Sequence, residues 1–101
     1  MKTFEKVLEM FRDYLDCDLE EEVLPCRNGY LRVTWNGDSR YCVDGLLSRM
    51  PDELFEVLLS DYRSYEELRM TKGCREVTEE DERQAEILCR SFREQWEEEE
   101  T

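Results

Sequence analysis

The chain predicts an α+β fold ordered α-β-β-β-α-α, a three-stranded antiparallel meander with helices packed on one face. Three observations lead there. Apolar residues recur at helical spacing near both ends, they alternate in the middle, and that middle is punctuated by Asn28-Gly29 and Asn36-Gly37-Asp38, the kind of dipeptide that accepts positive φ in tight hairpins. A three-stranded sheet needs such helical cover to be stable.

Phe4, Val7, Leu8, Phe11, Tyr14 and Leu15 mark one face of a first helix from Thr3 to about Cys17. Thr3 is placed to cap it, and Glu5 lies in the first turn, where the helix dipole favours an acid. An acidic connector, Asp18 to Glu22, overlaps the first of three strands, expected at Glu21 to Cys26, Tyr30 to Asn36 and Ser39 to Asp44. In the second, Leu31, Val33 and Trp35 point one way and Tyr30, Arg32 and Thr34 the other. In the third, Tyr41 and Val43 share a face opposite Arg40, Cys42 and Asp44. Alternation favours Trp35 and Tyr41 in the core and the arginines outside, over a surface that stacks single-stranded nucleic acid.

Pro51, followed by Asp52 and Glu53, suits the first turn of a second helix, which Gly73 ends. Leu54, Val57, Leu58, Tyr62, Tyr65 and Leu68 keep its repeat, and Phe55 and Leu59 widen the apolar stripe. Thr78-Glu79-Glu80-Asp81 has the form of a capping box opening a third helix, with Ala85, Leu88, Cys89, Phe92 and Trp96 down one side. Residues 1–96 are expected to form one domain and 97–101 a frayed acidic tail.

Charge is the strongest compositional signal. The 27 Asp and Glu against 14 Lys and Arg leave a net charge of -13 in 101 residues without a histidine. The excess sits at the ends: -5 over Met1 to Leu24, +2 over Pro25 to Met50, -3 over Pro51 to Gly73 and -7 over Cys74 to Thr101. Such a charge opposes direct binding to nucleic acid or anionic lipid. No apolar run reaches the ~20 residues that span a bilayer, and Met1 to Glu5 do not read as a signal peptide, so a cytoplasmic protein is expected.

Catalysis is disfavoured, since no histidine is available to move a proton and no cysteine has a histidine base. Pairs such as Glu20 with Glu22 and Glu79 with Glu82 follow from composition. Cys17, Cys26, Cys42, Cys74 and Cys89 are odd in number and irregular in spacing, which fits free thiols better than zinc or a disulfide framework. Asp13 to Glu22 lacks the pattern of a calcium loop, and the isolated glycines make no phosphate cradle. No catalytic, cofactor-binding or metal-binding residue is expected.

Binding through acidic surface remains. Acids one helical turn apart lie ~6 Å from each other, comparable with successive phosphates, so a row of them can occupy a groove built for a polyanion. Glu5, Glu9, Asp13 and Asp16 form such a row on the first helix, extended by Asp18, Glu20, Glu21 and Glu22; Glu79, Glu82 and Glu86 form another on the third. The competing reading is plain solubility.

Thr3-Phe4-Glu5-Lys6-Val7-Leu8, Asn28-Gly29-Tyr30 leading to Trp35, Pro51-Asp52-Glu53-Leu54 running to Tyr62, and Thr78-Glu79-Glu80-Asp81 give the chain a further character. In these short, loose motifs, spread over most of its length, it resembles small acidic uncharacterised proteins carried by phages and integrative elements of gut bacteria. The resemblance implies an anti-defence setting of the anti-CRISPR kind, where inhibitors occupy the nucleic-acid channel of a nuclease, and it assigns no individual residue. The leading expectation is a non-enzymatic acidic inhibitor of a basic host nuclease or defence protein. The alternative is an assembly module that homodimerises through the second helix, with Phe55 and Leu59 in the interface.

Overall fold

The structure, a computed structural model, describes residues 1–38 and 41–99. It has the expected class: helices with a three-stranded antiparallel sheet in the order β1-β2-β3. The elements are α1 (Phe4–Met10), α2 (Arg12–Cys17), β1 (Glu21–Cys26), β2 (Gly29–Trp35), β3 (Cys42–Ser48), α3 (Pro51–Thr71) and α4 (Glu79–Glu98). They group into two compact units, one of residues 2–57 and one of residues 58–99 with Met1, and α3 runs through the boundary.

In the first unit, the expected first helix is two. Thr3 caps α1 by accepting from Lys6 N at 3.0 Å, but at Phe11 the backbone turns to φ -99°, ψ 11° and α2 begins. The i to i-4 pattern survives the break, because Phe11 N donates to Val7 O and Leu15 N to Phe11 O. Val7, Phe11 and Tyr14 are buried along this segment, and Phe11 meets Phe55 of α3 with ring centroids 5.7 Å apart. The start of α3 is held by a contact that capping rules could have anticipated: Glu53 Oε1 accepts from both Arg49 N and Met50 N. Lys2 pairs with Asp52 at 3.5 Å.

β1 has the expected bounds, whereas β3 runs Cys42–Ser48 rather than Ser39 to Asp44. Asn36-Gly37-Asp38 does not close a two-residue hairpin. Asn36 N donates across to Tyr41 O, and residues 39 and 40 of the expected strand lie outside the described residues. A bulge follows, because Thr34 pairs with Asp44 and Trp35 with Cys42, leaving Val43 extra. At Gly29, with φ +148°, any Cβ would stand 2.0 Å from Ser48 O, so only glycine fits this end of the sheet.

The register puts Glu21, Val23 and Pro25 with Tyr30, Arg32 and Thr34 and with Asp44, Leu46 and Ser48 on one face. This is the face that α1 and α2 cover: Phe4 packs on Tyr30 at 4.8 Å, and Tyr14 reaches Glu21. The expected disposition of the aromatics and arginines is therefore corrected. Arg32 is buried at 8% exposure, while Tyr41 is 64% exposed and Trp35 half-buried. Arginine is held in this position through Nη1, which donates to Thr34 and to Asp44.

In the second unit, α3 and α4 form a helical hairpin across residues 72–78. Tyr62 meets Phe92 edge-on at 4.9 Å, and Arg63 bridges Glu67 at 3.2 Å and Glu86 at 2.7 Å. Leu58, Leu59, Ala85, Cys89 and Trp96 are buried here. Lys72 (φ 56°) and Gly73 (φ 68°) turn the chain out of α3, and α4 opens on the expected capping box of Thr78 with Asp81. α4 runs through Glu98, past the point where fraying was expected after Trp96, and residues 100–101 lie outside the described residues.

The capping box supplies a test of α4. Arg75 donates to Asp81 at 2.5 Å and 3.1 Å, and Thr78 N and Oγ1 add bonds of 3.0 Å each. The Arg75 guanidinium first, and the Thr78 amide after it, hold the Asp81 carboxyl well below the usual carboxylate range. A depressed native pKa stabilises the fold fully above the unfolded value, near pH 4, and that contribution fades as pH falls through the native one. Asp81→Asn should therefore unfold more easily than the parent at neutral pH, with the gap closing as acid is added below about pH 4. Thr78→Ala should cost about 1 kcal/mol at neutral pH, read from urea unfolding followed by circular dichroism.

Candidate functional site

Helix geometry places the acidic row of the first unit in solvent. Glu5, Glu9, Asp13 and Asp16 are all exposed, opposite buried Val7, Phe11 and Tyr14. The step from Glu9 to Asp13 crosses the break at Phe11, where the surviving i to i-4 bonds keep the two acids about one turn apart. Glu9 lies 4.0 Å from Lys6, a weak pairing, while Glu5, Asp13, Asp16 and Glu20 have no recorded cationic partner among the described residues.

The connector divides into two groups. Glu20 and Glu22 are exposed, and Glu22 accepts from Trp35 Nε1 at 2.7 Å. Glu21, expected to face a partner, is buried at 8% exposure and belongs to the interior. Asp18 is half-buried and occupied by Tyr14 OH at 2.9 Å and Glu20 N at 3.2 Å. Pairing of Glu21 with Thr34 turns its side chain to the face that α2 covers, and Asp18 ends α2 one turn beyond Tyr14, whose hydroxyl it accepts.

On that covered face the structure assembles a polar ladder that sequence reading did not find. Tyr14 OH donates to Asp18 Oδ2 at 2.9 Å and lies 3.4 Å from Glu21 Oε2; Thr34 Oγ1 donates to Glu21 Oε1 at 3.3 Å. Arg32 Nη1 then donates to Thr34 Oγ1 at 2.9 Å and to Asp44 Oδ2 at 3.0 Å. The chain of bonds links α2 to all three strands. Its signal in the sequence is parity: with β1 and β2 in register, Glu21, Arg32 and Thr34 fall on one face, where opposite charges compensate.

The row of the second unit is also exposed: Glu79, Glu82 and Glu86 face solvent, but Glu86 is held by Arg63 at 2.7 Å. Glu80, not among the expected contacts, bonds to Arg83 and Gln84. Phe55 and Leu59 are buried at 0% and 6% exposure. They pack inside the chain, which removes the proposed helix-two dimer interface.

Chemistry is sparse elsewhere. No group of three cysteines or carboxylates among the described residues could hold a metal ion. Burial pushes the Cys89 thiol up, away from the reactive thiolate, and burial with the nearby Glu66 carboxylate does the same for the Tyr62 phenol. A shallow recess of about 450 Å³ beside the α3–α4 connection holds Ser64, Glu67, Thr71, Arg75 and Glu76, with no base positioned on a nucleophile. No helix among the described residues is long and apolar enough to cross a membrane.

No family model, curated protein or solved structure matches the chain. The residues themselves therefore carry the functional reading, and the two acidic rows are its material.

Proposed function

We propose that the chain is a non-enzymatic acidic binding protein of the anti-CRISPR kind, encoded on a mobile element. It acts in the cytoplasm of a bacterial host, occupying the basic nucleic-acid channel of a nuclease or defence protein. One observation carries this reading: Glu5, Asp13, Asp16 and Glu20 stand exposed along α1, α2 and the connector without a cationic partner among the described residues, on a segment whose other side is buried. Carboxylates left uncompensated retain their field for a cationic partner. Glu9, Glu22, Glu79 and Glu82 add to that charge, whereas Glu21, Asp18 and Glu86 are committed to bonds within the chain.

The test is a plasmid-cleavage assay with a panel of purified RNA-guided and restriction nucleases, with affinity for any inhibited member measured by calorimetry. Binding should weaken steeply between ~0.05 M and ~0.5 M salt, as the screening length contracts to a few ångströms. Competing duplex DNA should displace the protein. The variant Glu5→Gln, Asp13→Asn, Asp16→Asn, Glu20→Gln should lose about tenfold or more in association rate. A panel with no inhibited member, or inhibition equal in this variant and the parent, rejects the reading.

A further inference from the structure

The two outer strands of the sheet are protected very differently. Alternate residues of a strand send their backbone groups to opposite neighbours. Trp35 N donates to Glu20 O at 2.7 Å, so the odd-numbered residues of β2 serve the β1 side; Asn36 N donates to Tyr41 O at 3.1 Å, so the even-numbered ones serve β3. Carried through the register, the outward backbone groups of β1 belong to Glu21, Val23 and Pro25, and those of β3 to Gly45 and Leu47. Pro25 has no N–H to offer, and two acids precede it, which are devices that keep an edge from pairing.

β3 has little of this protection. It carries no lysine and no proline, and its bulge at Val43 lies near its start, leaving Asp44 to Ser48 regular. Every residue from Cys42 to Leu47 is exposed, including Val43 at 66%, Leu46 at 47% and Leu47 at 37%. Among the described residues, β3 pairs with β2 alone. An exposed apolar edge with free outward amides and carbonyls is a template for another strand.

We propose that β3 is a self-association edge, through which two copies of this chain pair antiparallel about Gly45 and join their sheets into six strands. Charge selects a second copy of this same segment as the occupant. Both units are acidic, with 13 Asp and Glu against 7 Lys and Arg in residues 2–57 and 14 against 7 in residues 58–101. Residues 41–50 carry one acid and one base and are neutral. The exposed carboxylates Glu20 and Glu22 belong to the β1 side, at the opposite edge of the sheet. Two copies therefore meet where like-charge repulsion is least. With Gly45 opposite Gly45, Val43 faces Leu47 and Asp44 faces Leu46, so the Asp44 side chains are not opposed. Gly45 and Leu47, the outward-facing residues, then both fall in hydrogen-bonding positions.

Light scattering and sedimentation over a wide concentration range should find a species of twice the 12.3 kDa chain mass. Val43→Lys and Leu47→Lys, each checked for parental circular dichroism, should return it to monomer, while Leu19→Lys, at an 86% exposed position outside β3, should leave it unchanged. Salt should strengthen this dimer by screening repulsion, the opposite of its effect on the proposed nuclease complex, so the two proposals fail separately. A parent that stays monomeric at every concentration and salt, or a dimer indifferent to both β3 variants, overturns the proposal. A monomeric parent that nevertheless binds an extended peptide through β3 also overturns it, as the edge would then serve a different occupant.

Discussion

Phe55→Ala should cost about 3–5 kcal/mol of folding stability, the loss expected for a fully buried phenylalanine whose site cannot collapse. Phe55 has no exposed surface and faces Phe11, and its neighbours Leu54 and Leu58 are equally enclosed. A domain of this size has about 5–15 kcal/mol in all, so a large share of the stability rests on this one ring. Urea unfolding would show a midpoint far below the parent's, while Phe55→Leu, which keeps most of the volume, should lose less than about 1.5 kcal/mol. The same experiment separates the two roles considered for this residue. A Phe55→Asp chain that folds normally and differs only in association would restore the helix-two interface and contradict the burial.

Arg32→Ala should cost about 1–3 kcal/mol, because it strips the ladder of its cation and leaves half-buried Thr34, which bonds the buried Glu21, with one partner fewer. The arginine stem also contributes packing that alanine lacks. Arg32→Lys should recover only part, since a compact ammonium on a different stem does not reproduce the fixed placement of Nη1, which serves both Thr34 and Asp44. The partner on β3 is unequal in this respect. Asp44 keeps a 62% exposed side chain, so Asp44→Asn should change stability by less than about 1 kcal/mol. Denaturant midpoints for the three variants decide the matter, and an Arg32→Ala chain as stable as Asp44→Asn would mean that the ladder contributes nothing beyond a surface pair.

These two residues also mark where sequence reading succeeded and where it stopped. The class and order of elements, the bounds of β1, the Thr3 cap, the start of α3 at Pro51 and the Thr78–Asp81 box all follow from local chemistry. Periodicity, a fixed proline φ and a side chain reaching the third amide are properties of neighbours in the chain, and neighbours are what a sequence displays. The break at Phe11 and the late start of β3 were not legible, because each depends on how a turn closes against its surroundings. Of the acidic site, the exposure of Glu5, Glu9, Asp13 and Asp16 could be read from helical spacing; the withdrawal of Glu21 could not.

The sequence by itself determined an acidic α+β chain whose carboxylates line helix surfaces, since charge, periodicity and capping act over a few residues. Only the tertiary structure decided that Phe55 and Leu59 are core, that Arg32 rather than Trp35 lies buried on the helix-covered face, and that β3, among the described residues, pairs with β2 alone. Alternation states that two faces of a strand differ and is silent on which one a helix will cover. That choice rests on cross-strand register and on hydrogen-bond partners far apart in the chain, such as Arg32 with Asp44 and Glu21 with Thr34, and these exist only once the strands have paired.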